Sequence, residues 1–68
     1  MRSDYRYAGK KGTYWIKFDR HQNGIRASAA GPVLPPGGGF LADAAAVVAE
    51  TDVEAEQLLL VRLREMGA

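Results

Sequence analysis

Residues 13–18, Thr-Tyr-Trp-Ile-Lys-Phe, leave this chain few conformational options. β-Branched and aromatic side chains fit a pleated, half-buried surface and lose freedom in a helix. Alternation along a strand puts Tyr14, Ile16 and Phe18 on one face and Thr13, Trp15, Lys17 and Asp19 on the other. Asn23-Gly24 follows, the strongest short hairpin signal, because a type I′ turn needs positive φ at both loop positions. With those residues as the loop, Gln22 faces Ile25, Arg20 faces Ala27 and Phe18 faces Ala29. Ile25, Ala27 and Ala29 then share the face of Ile16 and Phe18, so the apolar pattern supports the hairpin.

The segment before residue 13 can be read in the same way. A two-residue loop at Lys10-Lys11 or Lys11-Gly12 sets Tyr5 and Tyr7 on the face of Tyr14 and Ile16. With Lys10-Lys11, Arg6 lies opposite Trp15 and Asp4 opposite Lys17, a cation–π contact and an opposite-charge pair. A three-residue loop would bury Arg6. The expectation is a three-stranded antiparallel β-meander over residues 4–30. Its apolar face carries Tyr5, Tyr7, Tyr14, Ile16, Phe18, Ile25, Ala27 and Ala29. Its polar face carries Arg6, Trp15, Lys17, Arg26 and Ser28.

Gly31 to Gly39 is rich in proline and glycine and reads as a loop, since proline removes donors and glycine is loose. Leu34-Pro35-Pro36 lacks the second spaced proline that would support a polyproline ligand, and Gly37-Gly38-Gly39 lacks the lysine and Ser/Thr of a phosphate loop. Residues 40–66 turn helical in composition. Ala42, Ala44, Ala45, Ala46 and Ala49 favour a first helix reaching Glu50, with a strand through Val47 and Val48 as the rival reading. Thr51-Asp52-Val53-Glu54 matches a capping box, opening a second helix from about Asp52 to Met66 that Gly67 ends. On that helix Ala55, Leu58, Leu59, Leu63 and Met66 share one stripe, extended by Val61 and containing Arg62. Val53 and Leu60 lie nearly opposite. The fold class is therefore α+β, β-β-β-α-α, one small domain with the C-terminal helix packed on the sheet.

At 68 residues the core is modest, and a homodimer through the helical half, using Val53, Leu60 and Val61, would enlarge it. The absence of cysteine excludes disulfides and thiolate metal sites, and a single histidine does not make a protein-only zinc site. No apolar run spans a membrane and no signal core opens the chain, which suggests a soluble, cytoplasmic protein. His21 reads as a turn residue, and Thr13, Ser28 and Thr51 lack the setting of a nucleophile, so no enzyme and no cofactor is expected. The net charge of +1 conceals a polarity: residues 1–31 hold seven Lys/Arg against Asp4 and Asp19, whereas the remainder is acidic. Arg6, Trp15, Lys17 and Arg26 on the sheet, with Lys10, Lys11 and Arg20 at its ends, form a candidate surface for DNA or for a protein. Arginines would reach base edges, lysines phosphates, and the indole an unpaired base.

KKGTYWIKFDRHQNGIRAS followed by ETDVEAEQLLLVRL resembles the N-terminal arm-binding domain of phage and transposon tyrosine integrases. That resemblance implies a three-stranded sheet entering the DNA major groove, a helix backing it, and Arg6, Trp15, Lys17 and Arg26 as DNA-facing positions. The competing expectation is a phage- or mobile-element-encoded regulator or inhibitor that binds a host protein, of the anti-CRISPR or anti-activator type.

Overall fold

The computed structural model of the chain describes residues 1–33 and 42–68. The elements are β1 (Tyr5–Gly9), β2 (Gly12–His21), β3 (Gly24–Val33), β4 (Asp43–Ala49) and α1 (Asp52–Glu65). The strands form one antiparallel sheet in the order β1-β2-β3-β4, and α1 covers one of its faces. The α+β class and the meander are as expected. The count differs, with four strands and one helix in place of three and two.

The first hairpin forms as read. Gly9 pairs with Gly12 around Lys10-Lys11, and Arg6 pairs with Trp15. Asp4 departs from the expected pairing with Lys17: its Oδ1 accepts the Phe18 amide at 3.1 Å and ties down the entry to β1. The second hairpin is displaced by two residues. His21 pairs with Gly24 and Phe18 with Ala27, leaving Gln22-Asn23 as the loop, with positive φ (54°) at Gln22. A shift of two conserves both faces, so the apolar pattern cannot register it. The cause lies on β4. A Cβ at Gly24 would sit 2.5 Å from the Ala49 carbonyl oxygen, so this glycine belongs inside the strand, where β4 passes close.

The expected first helix is β4 over its described part; Phe40 and Leu41 lie outside the described residues. Alanine helix propensity is worth well under about 1 kcal/mol per residue, and tertiary pairing overrides it. Here β3 offers a free ladder, and Ala45, Val47 and Ala49 alternate inward against it while Ala44, Ala46 and Val48 stay exposed. The rival strand reading through Val47 and Val48 was the right one. Likewise, Gly31, Pro32 and Val33, expected in a loop, belong to β3, which runs on to Val33 past a bulge opposite Thr13 and Trp15. The remainder of that loop, including Pro35-Pro36 and the triple glycine, lies outside the described residues.

α1 starts where the capping box places it, with Thr51 Oγ1 accepting the Glu54 amide at 3.2 Å. It ends in a Schellman motif. Ala68 N donates to Leu63 O at 2.9 Å and Gly67 N to Arg64 O at 3.0 Å, with Gly67 at φ 77°. Ala55, Leu59 and Leu63 are buried against Tyr14, Ile16, Phe18, Ile25, Ala27 and Ala29. Alanines at the inward positions of β3 and β4 let the helix approach closely. Two members of the expected interior stripe differ: Leu58 is 47% exposed, and Arg62 is exposed. Leu60, expected on the far side, is half-buried against the core. Among the described residues no helix is long and apolar enough to cross a membrane.

Candidate functional site

The face of the sheet opposite α1 is built from three cross-strand rows. Arg6, Trp15 and Ala30 form the first; Lys17, Ser28 and Ala46 the second; Asp19, Arg26 and Val48 the third. Strand alternation alone puts these side chains on the side away from the tyrosines. In the first row the Arg6 guanidinium lies 6.0 Å from the Trp15 ring centroid. That contact sets a flexible cation beside a partly exposed indole.

The second and third rows meet an acidic residue the sequence reading had assigned to a helix. Asp43, at the start of β4, takes Arg26 on Oδ2 at 3.0 Å and Lys17 on Oδ1 at 3.4 Å. The Arg26 hydrogen bond, with Lys17 in support, holds the Asp43 carboxyl below its usual range, against a smaller opposing effect of burial. Lys17 stands on β2 and Asp43 on β4, so their ion pair bridges the intervening strand near Ser28. Ser28 is wholly buried, and its Oγ has no hydrogen-bond partner among the described residues. An unsatisfied hydroxyl in that position costs about 1–3 kcal/mol.

The predicted basic set is thus divided. Arg6, Trp15, Lys17 and Arg26 come together on one face, with Lys17 and Arg26 engaged by Asp43. Lys11 is drawn the other way: its Nζ donates to Met66 O at 3.0 Å, at the negative end of α1. Lys10 is exposed in the first turn. Arg20 shares the parity of Phe18 and so belongs to the helix side of the sheet, exposed near the strand end. Of the expected oligomer contacts, Val53 and Val61 are 50% and 43% exposed, whereas Leu60 packs inward.

Asp43 is the residue that sequence reasoning missed. The signal lay in the alternative strand reading through Val47 and Val48, which, carried back to residue 43, would have placed a carboxylate beside Lys17 and Arg26. His21 stands exposed at the end of β2, in a shallow depression shared with Glu50 and Glu54. Among the described residues no group of three or more His, Cys, Asp or Glu side chains is placed to hold a metal ion. No family model, curated relative or solved structure matches this chain.

Proposed function

We propose that this chain is a small non-enzymatic binding protein that engages DNA through the sheet face left uncovered by α1. The observation that carries the reading is the Arg6–Trp15 pair: a cation held over an accessible indole on a flat, twisted surface. Such a surface fits a nucleic-acid groove, with the arginine for phosphate or base edge and the ring for stacking. The likeness to integrase arm-binding domains leads to the same face. In this reading Asp43 is a competitor for phosphate, since it occupies Lys17 and Arg26 until a stronger anion replaces it.

That role yields a discriminating experiment. Duplex binding is measured against salt for the wild type and for Asp43→Asn, Arg6→Ala and Trp15→Ala. Each phosphate contact contributes about −0.9 to the slope of log K against log salt. Asp43→Asn should tighten binding and steepen the slope by up to about two contacts, or about −1.8. Arg6→Ala and Trp15→Ala should weaken binding while the domain stays folded. Absence of binding at low salt, or indifference to Asp43→Asn, rules the reading out.

A protein partner is the second reading, in keeping with a regulator or inhibitor carried by a phage or mobile element. It is favoured by the near-balance of charge that Asp19 and Asp43 impose on this face, and tryptophan and arginine are the residues that anchor protein interfaces. Capture of one protein from nuclease-treated host extract, lost with Trp15→Ala, would select it over DNA.

A further inference from the structure

The two edges of the sheet are unequal. β1 is flanked by Asp4 and Lys10 and carries Arg6, charges of the kind that keep an edge from pairing with another chain. Among the described residues β4 has no such charge between Asp43 and Glu50. Its six intervening residues, Ala-Ala-Ala-Val-Val-Ala, contain no charge, proline or glycine, and Ala45–Ala49 run in regular register with β3. A straight, uncharged edge of this kind is a template for a further strand.

α1 points to the identity of that strand. It follows β4 after two residues and returns antiparallel to it, packed over β3 and β4. One flank of the helix faces β1, where Glu56 takes the Tyr5 hydroxyl at 2.7 Å. Leu58 is turned about 160° away from Glu56 at about 100° per residue, so it lies on the β4 flank. There it forms a line with Glu54 and Arg62, each four residues from it and both exposed. Leu58 is also close to the helix midpoint. At about 1.5 Å per residue it stands about 9 Å from Asp52. That brings it level with Ala46 and Val47, about 7–10 Å back along β4 from Ala49 at about 3.4 Å per residue.

We infer that a second copy of this chain pairs β4 to β4 about a two-fold axis, joining the sheets into one of eight strands and seating Leu58 against Leu58 of the other copy. Antiparallel pairing of one strand with itself is the natural two-fold contact. A helix over the β3–β4 boundary sits about one strand spacing, ~4.8 Å, from such an axis. The two helix axes then lie about 10 Å apart, at packing distance. The same axis sets Glu54 of each copy against Arg62 of the other, so the charges flanking Leu58 are self-complementary about it. Val61 extends the apolar seam on its outer side. The inference stands apart from DNA binding, because it uses the edge and the helix and leaves Arg6 and Trp15 free.

Sedimentation equilibrium without nucleic acid, over a range of protein concentration, tests it. The wild type should reach twice its 7.4 kDa chain mass. Leu58→Lys should raise the dissociation constant tenfold or more with unchanged circular dichroism. Glu54→Arg and Arg62→Glu should each weaken self-association several-fold, yet an equimolar mixture of the two should form a heterodimer, since both cross-axis pairs are then opposite in sign. Hydrogen exchange should show β4 amides gaining protection with protein concentration and β1 amides not. A wild type that stays monomeric at millimolar concentration overturns the inference. So does a dimer indifferent to Leu58→Lys, a mixture that does not associate, or a dimer whose β4 amides gain no protection.

Discussion

A methyl group at position 24 would meet the Ala49 carbonyl oxygen at 2.5 Å, and neither strand backbone can give way cheaply. Gly24→Ala should therefore cost about 1–3 kcal/mol in urea unfolding, as overpacking does, although the turn itself does not need a glycine there. Tyr5 shows a second effect of close neighbours. Burial and the hydrogen bond to Glu56 push its hydroxyl from 10.0 up to about 12. The unfolded chain loses that proton first. The stability linked to the neutral phenol is therefore complete below pH 10.0 and lost as pH climbs through about 12. Tyr5→Phe should remove a phenolate transition near pH 12 from an ultraviolet titration and flatten the alkaline limb of stability. Alternation alone placed Tyr5 on the correct face, whereas Gly24 was read as a loop residue; the partner that matters to each, Glu56 or Ala49, is distant in the chain.

Among the elements, α1 was the most legible, because its start and stop are written in local chemistry. Thr51 accepts the Glu54 amide, and Gly67 takes the left-handed conformation that closes the Schellman motif. Thr51→Ala should cost about 1 kcal/mol, read by thermal unfolding. Leu59→Ala, which opens a cavity at a wholly buried site, should cost about 2–5 kcal/mol by the same measurement. β4 was the least legible. Ala44, Ala45 and Ala46 fit a helix by propensity, and what makes this segment a strand is its pairing with β3, Ala45 with Ala29, Ala46 with Ser28 and Val47 with Ala27. Misreading that element concealed Asp43, and with it the fact that two of the three cations on the candidate face, Lys17 and Arg26, are already paired. The helical stripe was misread for a related reason. Leu58 is close enough to the apolar stripe to be counted with it, but α1 sits over β3 and β4, which leaves that flank uncovered at the edge of the sheet.

For the whole molecule, the charge polarity between the two halves of the chain becomes a set of contacts between them. Arg2 meets Glu56 at 3.1 Å, Lys17 and Arg26 meet Asp43, and Lys11 reaches the end of α1. Each exposed pair contributes about 0–1 kcal/mol, so the burial of Tyr14, Ile16, Phe18, Leu59 and Leu63 holds the fold and the ion pairs align its halves. Native-state hydrogen exchange should accordingly find the slowest amides in β2 and β3 where a strand pairs on both sides, at Ile16, Ala27 and Ala29. What the sequence determined by itself was of short range: two faces for each of the first three strands, the first turn, and both ends of the helix. These follow from side-chain alternation, capping and positive φ, which need only near neighbours. The tertiary structure alone decided the state of residues 43–49, the two-residue shift of the second hairpin and the pairing of Asp43. Each depends on β4 lying beside β3, a contact whose energy belongs to neither segment alone.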